Sequence, residues 1–273
     1  MPDSPKRWFG NDQTIDSIKF ILNNGRSGSH FIIGPDGLGK RSCIESMVGS
    51  LLNELDILSV TSNKDSLRDV MEFINSPSIT SDFKAVVVDG LEKQNFATQD
   101  SWLKIVEEPR IGNFLFYVIS DEGALVDALR SRIRTKFVFK SLNRDEMVSF
   151  AEDSGEVDFS AIDNSFGIPS IYLKIRNNPN YTHMFSLLNQ AIFERRNLLI
   201  ENLPILCSEA KEDHEIRRII SKFIRQMCSN SLTVDSINRI RPALKFAGTI
   251  CRSSSCDVEL HWWRMSSDLL SLA

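Results

Sequence analysis

The stretch Gly34-Pro35-Asp36-Gly37-Leu38-Gly39-Lys40-Arg41-Ser42 has the residue types and the order needed to hold a phosphate. Glycines let a backbone curl until successive N–H groups face one anion. Lys40 adds a point charge, and a helix starting there adds the positive end of its dipole. The consensus for such a loop places Ser or Thr directly after the lysine, where the hydroxyl binds Mg²⁺. Here that position is Arg41, and a hydroxyl comes one place late, at Ser42. The loop is formed, but its metal chemistry is damaged. A second candidate is Asp89, which ends the apolar run Lys84-Ala85-Val86-Val87-Val88. A carboxylate at that strand end can reach the Mg²⁺ shell of a bound nucleotide. The plainer readings are a glycine-rich turn without ligand and a strand-end turn residue.

The elements around these residues suit the chemistry. The run His30 to Ile33 reads as a buried strand leading into the loop, and Ile44 to about Leu55 reads as the helix leaving it. Asp12 or Thr14 can cap a first helix through about Leu22. Further strands are expected at Ile57–Val60, Lys84–Asp89, Asn113–Ser120 and Lys136–Phe139. Helices are expected from Asp65 or Ser66 to Ile74, over Asp100–Glu108 and over Asp121–Ala128. Unbroken apolar strands alternating with helices predict a parallel α/β sheet covered on both faces. From Asn143 onward the pattern is helical: Asp145–Glu152, Ser160–Phe166, Ile168–Ile175, then about Met184–Glu201, Glu212–Cys228, Val234–Cys251 and Val258–Leu272. The turn residues Asn177 to Asn180 read as a linker. The fold class is thus α/β followed by all-α, in three parts: 1–142, 143–178 and 179–273.

Composition limits the function classes. With 42% hydrophobic and 25% charged residues in 273, the chain can build two or three compact units. A net charge of −4 argues against a generally basic surface. The five cysteines form no CxxC pair and no zinc set, which suits reduced thiols in an intracellular protein. No run reaches the roughly 18 apolar residues a membrane span needs, and the first ten residues lack a signal core. The expectation is a soluble protein with no metal site of its own.

Three stretches carry a family resemblance. Trp8-Phe9-Gly10-Asn11-Asp12 resembles the opening of clamp-loader delta-prime sequences. Trp102-Leu103-Lys104-Ile105-Val106-Glu107-Glu108-Pro109 is similar to that family's LLKxLEEPP. Leu129-Arg130-Ser131-Arg132-Ile133 is similar to its SRC motif. The resemblance to the clamp-loader branch of AAA+ proteins covers roughly residues 8–142. It implies an AAA+ module, a helical lid and a C-terminal helical collar. It implies a hetero-oligomeric ring with other loader subunits that places a sliding clamp on primer-template DNA in the cytoplasm, of a bacterium or of an infected host cell. It implies that Arg132 is an arginine finger acting on a neighbouring subunit's ATP, with Gly34, Gly37, Gly39, Lys40, Arg41, Ser42 and Asp89 at this subunit's own nucleotide position.

The departures from the family agree with one another. Arg41 replaces the Mg²⁺-binding hydroxyl. Gly90 replaces the glutamate that polarises water, and Glu92 needs an unusual backbone to substitute for it. Ile171, in Gly167-Ile168-Pro169-Ser170-Ile171, replaces the lid's sensor arginine. Ser120 stands where relatives carry Asn or Thr. No cysteine lies between Met47 and Asp65, where bacterial relatives carry a zinc knuckle, so no zinc is expected. The groups serving this subunit's own nucleotide are eroded, while the group serving a neighbour survives. The preferred expectation is a non-catalytic subunit that can hold ATP or ADP without turnover, with Mg²⁺ only if nucleotide is bound. The alternatives are an active loader ATPase, and an AAA+-derived scaffold in another assembly.

Overall fold

The structure, a computed structural model, describes residues 7–63 and 66–177, together with Ser221 and Lys245. The helices expected beyond Asn177, the collar and most of the linker lie outside the described residues. The chain divides into two units, Met1–Val157 with Phe166–Ser170, and Asp158–Ser165 with Ile171–Ala273.

The first unit is built on five parallel strands: β1 (Gly28–Ile33), β2 (Ile57–Thr61), β3 (Lys84–Asp89), β4 (Asn113–Ile119) and β5 (Thr135–Val138). Their spatial order is β2-β3-β4-β1-β5. The helices are α1 (Asp12–Asn23), α2 (Lys40–Gly49), α3 (Ser66–Asn75), α4 (Phe96–Ser101), α5 (Leu103–Glu107), α6 (Asp127–Arg132) and α7 (Arg144–Asp153). The helix expected over Asp100–Glu108 is two short helices, with Trp102 between them, fully buried. Packing of that indole against Tyr117, edge to face with centroids 6.1 Å apart, fixes the break.

Both faces of the sheet are covered, which explains the continuous apolar strands. Alternate residues point to opposite sides. Ile32, Val87, Phe114, Phe116 and Phe137 pack with Ile15, Ile18, Ile44 and Val48 of α1 and α2. Phe31, Val86, Val88, Leu115 and Tyr117 pack with Val70, Trp102, Ile105 and Leu129 of α3 to α6. The expected caps of α1 are not used. Asn11 stands at the cap in a left-handed conformation (φ 58°). Its side chain pairs with the backbone of Lys140 instead, donating to the carbonyl at 3.0 Å and accepting from the N–H at 2.7 Å. Helix α7, assigned to the lid on sequence, packs within the first unit, where Phe150 meets Phe9 edge to face at 5.7 Å.

Two buried charges support the edge of the sheet where β3 begins. Asp56 accepts from the N–H groups of Ile79, Thr80 and Ser81 and from the Thr80 hydroxyl, at 2.8–3.0 Å. These bonds hold its carboxyl well below the usual carboxylate range. Lys84 donates to the carbonyls of Phe73 and Ser76, closing the end of α3. Among the described residues no helix is long and apolar enough to cross a membrane. Of the second unit, α8 (Phe159–Asn164) and part of α9 (Pro169–Asn177) are described. The Asp158 side chain caps α8 through the N–H of Ala161.

His30 is buried among Phe114, Phe116 and Phe137. Its Nε2 lies 3.2 Å from the Arg26 carbonyl and so carries the proton. Burial lowers its pKa from the ordinary value, and the bond to Arg26 opposes this only in part. The unfolded chain therefore binds a proton near pH 6.5 that the folded chain refuses. His30 contributes its full share of stability above that pH and loses it as pH falls towards the lower folded value. A His30→Phe variant is expected to lose less melting temperature than the parent chain between pH 8 and pH 5.5, measured by thermal unfolding.

Candidate functional site

In a parallel sheet all strands end on one edge, so the residues that follow them meet there. Gly34 follows β1, its N–H bonded to the Ile119 carbonyl of β4. Thr61 and Asp89, the last residues of β2 and β3, are paired in register, and Asp89 pairs with Val118. Ser120 follows β4. Residues 34–42, Asp89 and Ser120 are thereby brought to one edge.

The loop runs from Gly34 into α2, whose cap is Gly39, with no side-chain capping bond. That leaves the first-turn N–H groups of α2 suited to an anion. Gly37 has φ 88°, and a Cβ there would come within 2.0 Å of the Ser170 hydroxyl, so only glycine fits. The N–H of Ser170 donates to the Gly37 carbonyl at 3.2 Å. Residues 166–170 thus lie against the loop, and the side chains they present to Gly37 are the Ser170 hydroxyl and a methyl of Ile168. Ile171, at the sensor-arginine position, is buried and apolar.

Lys40 is 5% exposed. Its Nζ donates to the carbonyls of Gly34 at 2.6 Å and Pro35 at 2.8 Å, closing the loop on itself. Burial lowers its pKa from the ordinary value, while Asp36, Asp89 and Glu92 act in the opposite sense. Asp36 is itself 3.5 Å from Lys93.

Arg41 reaches across the end of the sheet. Its Nε donates to Glu45 at 2.8 Å, Nη1 to the Thr61 hydroxyl at 3.1 Å and Nη2 to the Ser59 hydroxyl at 2.9 Å. Nη1 also stands 3.8 Å from the Asp89 carboxylate. Ser59 donates in turn to Glu45. Ser42, about 100° further round the helix, is exposed. Mg²⁺ does not fit this arrangement. The hydroxyl ligand is missing, and the carboxylate that would join the metal's shell is paired with a guanidinium. Among the described residues no group of three or more His, Cys, Asp and Glu side chains is placed to hold a metal ion.

The unusual backbone that Glu92 requires is present. Gly90 adopts φ 78° and starts a 3₁₀ turn, Leu91–Lys93, that turns Glu92 inward. Its Oε1 accepts from the N–H of Ser120 at 2.9 Å and from the Ser120 hydroxyl at 2.7 Å. Its Oε2 is buried without a partner among the described residues.

Arg132 is not among these groups. It closes α6, half-exposed, with Nε donating to Glu107 at 2.7 Å and Nη1 to the Ala128 carbonyl at 2.9 Å. Glu107 belongs to the stretch Trp102–Pro109, so two separate sequence stretches meet in one ion pair. Nothing in the local pattern marks Glu107 as the partner, since Glu108 beside it is also acidic.

The structure is similar over 95% of this chain to all of a DNA polymerase III gamma subunit-related protein from Thermotoga maritima, at 14% identity and TM-score 0.54. It is similar over 91% of both chains to the Thermotoga maritima RuvB Holliday junction branch migration motor, at 16% identity and TM-score 0.51. The five-stranded parallel α/β fold is shared with these two proteins. Residues 56–143 match the family model described as DNA polymerase III, delta subunit. Over those residues, about a third of its length, the chain is similar to that family. No curated protein sequence matches the chain significantly.

Removing the guanidinium takes away the cation bonded to Glu45 and the one beside Asp89. Because Arg41 is about one-third exposed, the loss is discounted for solvent screening. Arg41→Ala is expected to lower unfolding stability by about 1 kcal/mol, read as a shift of the urea midpoint at unchanged slope.

Proposed function

We propose that this chain is the non-catalytic, delta-prime-like subunit of a DNA sliding-clamp loader. In this reading it sits in a hetero-oligomeric ring with the loader's ATPase subunits. Residues 179–273 serve as the collar, and the assembled ring handles the clamp and primer-template DNA in the cytoplasm. Residues 34–42 retain ATP or ADP without turning it over. Arg132 enters the neighbour's site, where a fixed cation stabilises charge spreading over the γ-phosphate during transfer.

The observation that carries this reading is the contrast between two arginines. Arg41 takes the position of the Mg²⁺-binding hydroxyl and pairs with Asp89. Arg132 stays half-exposed at a helix end, held by a single carboxylate that an incoming phosphate can displace. One observation favours the second reading, an active ATPase: Glu92 is turned inward with one carboxylate oxygen unpartnered. Its other oxygen is committed to Ser120.

Two measurements decide. The purified chain alone is expected to show no steady-state ATP hydrolysis. Turnover abolished by Lys40→Ala would make it a motor subunit instead. In a ring reconstituted with partner ATPases, Arg132→Ala is expected to slow single-turnover hydrolysis at the adjacent site by about 10³-fold or more. Unchanged hydrolysis there would leave Arg132 an ordinary surface ion pair and favour the scaffold reading.

A further inference from the structure

We propose that Arg41 is a built-in replacement for the divalent cation, so that the loop takes the phosphates of a nucleoside di- or triphosphate in metal-free form. The inference rests on the reading that residues 34–42 retain nucleotide.

In an intact phosphate loop two protein groups serve the metal. They are the hydroxyl directly after the lysine and the carboxylate at the end of another strand of the sheet. Here the first is replaced by an arginine, and that arginine's Nη1 lies 3.8 Å from the second. A divalent ion would have to stand beside a fixed positive charge and compete with it for Asp89. Metal binding is therefore opposed twice, by the missing ligand and by repulsion.

The guanidinium is also held as a ligand-ready group. Three of its five N–H groups are committed, to Glu45, Thr61 and Ser59, on α2 and β2. These bonds fix the plane and direction of the fork. Nη2 keeps one N–H for an acceptor, and Nη1 keeps a second that a phosphate oxygen would share with Asp89, 3.8 Å away. The group stands one residue beyond Lys40, at the start of a helix with no side-chain cap. A polyphosphate in the loop would thus meet Lys40, the helix N-terminus and Arg41, all positive and all part of the chain. Lys40 must exchange its bonds to Gly34 and Pro35 for phosphate oxygens, a change within the loop that needs no metal.

The test is equilibrium titration of the full chain with ADP, and with a non-hydrolysable ATP analogue, in excess Mg²⁺ and in excess EDTA. The parent chain is expected to bind with Kd values that agree within about 3-fold between the two buffers. Arg41→Ser restores the consensus hydroxyl and frees Asp89. It is expected to bind at least about 10-fold more weakly in EDTA than in Mg²⁺. Binding by the parent chain that needs Mg²⁺ would overturn the inference and leave nucleotide retention standing. Absence of binding in both buffers would overturn retention and the inference together, without touching the role of Arg132. If Arg41→Ser fails to fold by circular dichroism, the parent chain's two titrations decide alone.

Discussion

Five strands running the same way impose the main constraint on this molecule. A parallel sheet must be covered on both faces, so each strand is apolar along its length and polar groups collect where strands end. Lys40, Asp89, Thr61, Ser120 and Glu92 come together for that reason, from stretches that share no local signal. The aromatic and aliphatic layers on the two faces hold the register, with Ile33 opposite both Ile119 and Val138, and Thr61 opposite Asp89. A slip of one residue in β2 would turn Thr61 and Ser59 to the other face and strip Arg41 of two of its partners.

The charges at this edge are met by side chains and backbone groups of the chain itself. Asp36 stands near Lys93, Asp89 near Arg41, and Lys40 is satisfied by the loop's own carbonyls. In a nucleotide hydrolase some of these charges wait for metal and phosphate. Here the acidic strand end already has its cation. The buried Lys40 is surrounded by carboxylates that favour its charged form against the desolvation that opposes it. Each of these charges therefore has a partner within the chain.

The opposite holds at the end of α6. Arg132 is tied by one carboxylate and one carbonyl at a half-exposed position, where screening keeps an ion pair weak. A weakly held arginine can be recruited by a stronger anion. Glu107 therefore orients the side chain without trapping it, and the same helix pair, α5 and α6, brings the two together.

The sequence alone marked the five strands in order, most of the helices between them, the glycine-rich turn after β1, and Arg41 and Gly90 as departures from the expected residue types. These are properties of residue type at a local spacing, and hydrophobic patterning reports them directly. It did not reveal the break at Trp102, which depends on an indole packing against Tyr117 from another strand. Nor did it reveal that Asn11 joins Lys140, or that Asp56 holds residues 79–81. Most of all, it named Arg41 only as a missing hydroxyl. That this arginine is bound to Glu45, Ser59 and Thr61 and placed against Asp89 was decided by the tertiary structure. The reach of a long side chain is set by which strands lie side by side, and that adjacency is encoded in the packing of the whole sheet.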